Sequence, residues 1–169
     1  MVEMNFKAIV VGAIINFIIG FVWYNPKIFG TVLVKEANLD PEKMKNMNMV
    51  KLMGFSFVFA LMISLAVNPM VIHQMHLSSI VMNQIQGTDA IAKTAAEDDI
   101  ANVMAKYGNE FRTFKHGAFH GLLYVVFLIL PIIGMNALYE NKSWKYIFIH
   151  VGYWAVSLSL MGGVICAWQ

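Results

Sequence analysis

The chain has 169 residues, of which 59% are apolar and 13% charged, with a formal net charge of +2 and a mean hydropathy of +0.62. A soluble domain carries about 25% charged residues, so the composition excludes an ordinary soluble fold. The small net charge argues against a nucleic-acid partner, and a single cysteine, Cys166, excludes an intrachain disulfide.

The charges are segregated. No Asp, Glu, Lys or Arg occurs in residues 8–26, 52–72, 116–139 or 146–169. Each stretch is close to the roughly 20 residues that a helix needs to cross the hydrocarbon core. Soluble helices keep a polar stripe, and these do not. The expected fold is all-α: a polytopic integral membrane four-helix bundle forming a single domain. Its spans are expected at about 6–24, 50–72, 114–138 and 145–168, with an extramembrane segment at about 73–113.

In chain order, the first helix ends at "FVWYNP" (21–26), where Trp23 and Tyr24 suit a membrane interface and Pro26 stops the helix. No small-x-small cleavage site follows, so the segment reads as a span rather than a removable signal. "FGTVLVKEAN" (29–38) suits an interfacial position. Asp40, Pro41 and Glu42 predict the start of a short helix. The second span carries Pro69, which bends its far end. In the extramembrane segment, Thr94 and Glu97 predict a capping box for an amphipathic helix over 94–108. Ile100, Val103, Met104 and Tyr107 would share its apolar face. The third span contains Pro131, and "YENKSWKY" (139–146) joins it tightly to the fourth.

Four spans put both termini on one side of the membrane. Seven lysines (27, 35, 43, 45, 51, 142 and 145) lie on the other side, against five cations (Lys7, Lys93, Lys106, Arg112 and Lys115) beside the termini. The positive-inside rule then leaves the termini on the non-cytoplasmic side of a bacterial inner membrane.

Small or polar residues recur at helical spacing in every span: Gly12, Asn16 and Gly20; Ser64; Gly117 and Gly121; Ser159 and Gly163. Between helices in lipid, close packing and interhelical hydrogen bonds replace hydrophobic drive, so these residues are expected to pack helices within a bundle or against a partner. No carboxylate lies inside a span, unlike the usual proton-driven transporter. Glu140 is expected to meet Lys142, Lys145 or a helix terminus.

Four histidines gather at one end. His73 and His76 follow the second span, and His116 and His120 open the third in "RTFKHGAFHG" (112–121). Pairs at i+3 and i+4 share a helix face, and imidazole suits zinc or copper; facing pairs could also ligate haem. Simple interfacial hydrogen bonding is the competing reading. His150, near the other end, is expected to bond a neighbouring helix. No nucleophile motif or phosphate loop occurs, so no enzyme is indicated.

"GFVWYNPKIFG" (20–30), "FRTFKHGAFHG" (111–121), "NALYENKSWKYIFIHVGYW" (136–154) and "LMGGVICAWQ" (160–169) together resemble domain-of-unknown-function family 1761. This is a family of small bacterial membrane proteins, and the chain looks most like its Bacteroidota-type versions. The resemblance implies four membrane helices, no established activity and no catalytic residue. Val32 stands where the family often has an aromatic residue, and His150 where it often has Asn. The signature residues Trp23, Tyr24, Asn25, Pro26, Asn136, Glu140, Trp144 and Tyr153 are expected mostly at the membrane end opposite the histidines. There Asn25, Asn136 and Glu140 would tie the helix ends together.

The favoured function is an accessory or structural subunit in the lipid bilayer, packing on itself as a homo-oligomer or on a larger membrane complex. A small oligomeric transporter or channel, lined by Asn16, Asn68, Tyr124, Asn136 and Ser157, is the first alternative. A metal- or haem-binding membrane protein using the histidine group is the second.

Overall fold

A computed structural model describes residues 4–169, the side chain of Pro41 excepted. Their regular structure is all helix, with no strand among the described residues. Helix α1 (Phe6–Trp23) starts at Asn5, whose side chain accepts the Ala8 amide at 3.1 Å. A π turn over Pro26–Gly30 leads into α2 (Thr31–Ala37). Asn38 closes α2 with a left-handed φ of 55°, a conformation Asn tolerates better than most residues. Helix α3 (Pro41–Lys45) begins where the Asp–Pro pair predicts, the Asp40 carboxylate accepting the Glu42 amide.

Helix α4 (Met49–Val71) is capped by Asn48 and runs through Pro69. A 3-10 turn over His73–His76 follows, then the short helices α5 (Leu77–Ile80) and α6 (Met82–Gln86) and the longer α7 (Ala90–Tyr107). The third span combines α8 (Phe114–Tyr124), a π turn over Val125–Ile129 and α9 (Leu130–Tyr139). Pro131 explains that wider turn. It has no N–H to donate, and its ring crowds the carbonyl four residues back; a π turn relieves that conflict. Helix α10 (Trp144–Ala167) is capped by Ser143.

The capping box at Thr94 does not form. Helix α7 starts earlier, at Asp89, whose carboxylate accepts the amides of Ile91 and Ala92. Asp is at least as good an N-cap as Thr, and it comes first in the chain. Thr94 lies inside the helix, its hydroxyl donating to the Ala90 carbonyl at 3.0 Å. The apolar face also differs: Ala96 and Ile100 are buried, while Val103 and Tyr107 are exposed.

Four helical stretches are long and apolar enough to cross a membrane: Phe6–Trp23, Met49–Val71, Phe114–Tyr139 and Trp144–Ala167. The protein is a multi-pass helical bundle whose large apolar side chains face lipid, among them Phe55, Phe59, Phe127 and Leu138. Helix α10 is the most buried of the spans and contacts the other three. Met161, Ile165, Leu158 and Cys166 on it meet Ala8 of α1, Val67 and Val71 of α4, and Val125 of the third span.

Small residues set the helix spacings. A Cβ on Gly117 would collide with the Gly162 carbonyl, and one on Gly121 with the Leu158 carbonyl and the Ser159 amide, so α8 and α10 touch backbone to backbone. Gly12 leaves room for Ser64, whose hydroxyl donates to the Ile9 carbonyl at 2.7 Å. Gly163 accommodates the Phe114 ring, and Gly20 lies against Tyr153. The rows of small residues are therefore taken up inside the chain.

Candidate metal centre

The ends of α4 and α8 build the histidine group. Helix α4 stops at Ile72, which is extended (φ −112°, ψ 92°) and buried. The chain turns there, and His73 is the first residue of the 3-10 turn. On α8, Thr113 caps the helix by accepting the His116 amide at 3.2 Å. Gly117 and Gly121 fix which side of α8 faces α10. His116 and His120 each precede one of those glycines, so their side chains lie about 100° round the helix from that contact. That turn brings both of them to His73.

The three rings touch. His73 lies 5.0 Å from His116 and 4.9 Å from His120, and the latter two are 4.4 Å apart, centroid to centroid. The Nε2 atoms of His73 and His116 are 3.0 Å apart. One ligand nitrogen from each of the three residues lies within 4.8 Å of the others. Zn–N bonds of about 2.05 Å in a tetrahedron put ligand nitrogens about 3.3 Å apart. One pair already meets that spacing, and side-chain rotation of about 1–1.5 Å brings in the third. His73 is exposed, and His116 and His120 are half-buried, so an ion can reach the group from water.

His76 is not part of this group. A 3-10 turn rises about 2.0 Å per residue, which carries it about 6 Å further along than His73. Nor do the rings suit haem: their mutual contact leaves no slot between them for a macrocycle.

The surroundings leave one side open. His73 also lines a cleft of about 410 Å³ with Gln74, Tyr107, Glu110 and Phe111. Gln74 fixes one wall, its amide donating to the carbonyls of Tyr107 (3.0 Å) and Glu110 (2.8 Å). Arg112 binds the last carbonyls of α10, with Nε 2.8 Å from Cys166 O and an Nη 3.0 Å from Trp168 O. This arginine thus straps the segment that leads into α8 to the end of α10.

The signature residues occupy the other end and are used differently from the expectation. Asn25 accepts the Lys27 amide of its own turn at 2.9 Å. Asn136 and Glu140 are exposed, and no hydrogen bond joins Asn25, Asn136 and Glu140 among the described residues. Glu36 does the tying instead: it accepts from Ser143 and lies 3.7 Å from Lys145, while Lys142 donates to the Ala37 carbonyl at 2.7 Å. The Ser143 hydroxyl, with Lys145 beside it, outweighs partial burial and holds the Glu36 carboxyl below its ordinary 4.5. Trp23 donates to the Ile149 carbonyl at 3.0 Å, and the Tyr24 hydroxyl meets His150 Nδ1 at 3.0 Å. Pro26 opens the π turn, and Trp144 is exposed and stacks on Phe148. Tyr153 is deeper, donating to the Asn16 side-chain oxygen at 2.8 Å.

The polar residues considered for a transport path are scattered. Asn68 and Ser157 are fully buried and have no hydrogen-bonding partner among the described residues, whereas Asn136 is exposed.

These features define a small polytopic helical membrane protein with a cluster of three imidazoles at one end of the bundle. The chain belongs to the family described as protein of unknown function (DUF1761), whose model matches residues 7–166. No curated protein and no solved structure matches it.

Proposed function

We propose that this membrane protein binds a divalent transition-metal ion through His73, His116 and His120. The convergence of three ligand nitrogens within 4.8 Å, from segments more than forty residues apart in sequence, carries the reading. Three neutral nitrogen ligands suit Zn²⁺ or Cu²⁺. The cleft beside His73 supports an open fourth position for water or an incoming ligand. The lysine distribution supports a non-cytoplasmic position for this end. An accessory role in an oligomer or a larger complex drew on the rows of small residues, the lack of carboxylates inside the spans and the small extramembrane segment. The glycines of those rows meet partners within the chain, which leaves the histidine group as the better-supported feature.

The test is metal binding by purified, chelator-stripped protein in mild detergent. Wild type takes up one equivalent of Zn²⁺ or Cu²⁺. His73→Ala and His116→Ala each lower affinity by at least about 100-fold, the upper end of what losing an outer-shell partner costs. His76→Ala leaves binding unchanged. Equal binding by a variant lacking His73, His116 and His120 overturns the proposal.

A further inference from the structure

The opposite end of the bundle holds a second, independent feature. A cavity of about 570 Å³ opens between α1 and the start of α4, with Met44 and Met47 of the α3 region at its rim. That volume lies in the range of small-molecule sites, about 300–1,000 Å³. Three properties of the wall define what fits.

The wall carries no charged side chain. Desolvating an unpaired charge there would be strongly unfavourable, so the occupant is neutral. The wall is also largely apolar and adaptable: Phe17 and Phe21 stand on α1, and Met44, Met47, Met49 and Met53 face them. Methionine is unbranched and re-packs around varied shapes. The third property is Asn16. It is 5% exposed and lines the cavity. Its side-chain oxygen accepts the Tyr153 hydroxyl, while its side-chain nitrogen has no partner among the described residues. Unlike the amide of Asn68, that nitrogen is not sealed within the protein; facing an apolar cavity at membrane depth it lacks an acceptor, and a ligand carbonyl supplies one.

Depth separates this site from the lipid that coats the bundle. Asn16 stands seven residues before Trp23, which puts it about 10 Å inside that end of the helix. A phospholipid, whose charged head is held at the interface, does not bring a carbonyl to that depth, whereas an uncharged head can follow its carbonyl into the cavity.

We infer that this cavity binds an uncharged amphiphile that lays its tail along the phenylalanine–methionine wall and presents a carbonyl oxygen to Asn16. A lipophilic quinone and a monoacylglycerol share that chemistry.

The experiment uses full-length protein in nanodiscs and a diazirine-bearing monoacylglycerol, with labelled residues located by peptide mass spectrometry. Saturable labelling of α1 and the first half of α4 around the cavity is expected. Decyl-benzoquinone and monoolein should compete, and dodecane, which has no carbonyl, should not. The stronger of the two competitors identifies the head group, and either result supports the site. Asn16→Leu should weaken saturable labelling at least tenfold. Because that change also breaks the Tyr153 bond, Ser56→Phe is the second variant: it fills the cavity from its exposed wall and leaves Asn16–Tyr153 intact. The same loss is expected. Non-saturable labelling unchanged by Ser56→Phe would identify coating lipid and overturn the inference. Equal competition by dodecane would overturn the role of Asn16.

Discussion

Replacing Gly117 with Ala tests the contact that positions the candidate metal centre. The added Cβ would fall on the Gly162 carbonyl of α10. A carbon and a carbonyl oxygen approach no closer than about 3.3 Å, and the Cβ comes more than about 1 Å inside that limit. Backbone is the obstacle, so no side-chain rotation relieves it and α8 must retreat from α10. Overpacking of this kind costs about 1–3 kcal/mol. Alanine also gains up to about 1 kcal/mol of helix propensity over glycine, which would mask part of the loss. Gly134→Ala supplies the correction: it lies in the same span, and a Cβ there meets nothing within 4 Å. The prediction is the difference between the two variants, about 1–3 kcal/mol against Gly117→Ala, read from denaturant unfolding in detergent micelles. A retreat of about 1 Å also moves His116 and His120 relative to His73, so metal affinity should fall with stability in Gly117→Ala alone. Equal stability of the two variants would refute the backbone contact between α8 and α10.

Three further outcomes follow from the hydrogen bonds. Glu36 has a folded pKa below its unfolded value, because Ser143 and Lys145 favour the carboxylate. Its contribution to stability is therefore complete well above the ordinary value of 4.5 and is lost as pH falls through the folded value. The stability gap between wild type and Glu36→Gln should be constant from about pH 6 to 7 and narrow as pH falls below the ordinary value of 4.5; a gap independent of pH contradicts this. Tyr153→Phe removes the bond to Asn16 and should cost about 0.6 kcal/mol, up to about 1.7, the measured range for hydrogen bonds between membrane helices. Ser64→Ala removes the hydroxyl bond to the Ile9 carbonyl and should cost a similar amount, measured by the same unfolding assay.

The parts of this structure that were legible in the sequence are those set by local physics. Gaps in charge mark the spans because lipid excludes charge whatever the neighbours are. Asp40–Pro41 marks a helix start because the cap and the fixed φ act within one turn. The glycine rows announced close packing, but not their partners: nothing near Gly117 in sequence points to Gly162. Competition between neighbouring caps misled the reading of α7, where Asp89 precedes Thr94 and both are competent. The end opposite the histidines was least legible. Glu140, two residues before Lys142 in sequence, was the expected partner of the connection's lysines. The actual partner, Glu36, is more than a hundred residues away and comes close only because α2 folds back against the start of α10.

The histidine group lies between these cases. Sequence places four imidazoles at one end of a bundle but cannot choose among them. The choice follows from how α4 ends. Ile72 turns into the core, and the chain leaves the α-helix for a 3-10 turn before the first histidine. Residues three apart in that turn share a face but stand about 6 Å apart along the axis. One imidazole is delivered to α8, and the other is carried past it. Inserting one α-helical turn before His73 should carry both imidazoles about 5.4 Å further along, past His116 and His120, and abolish metal binding. Retained metal binding in that variant would show that the turn at Ile72 does not make the selection.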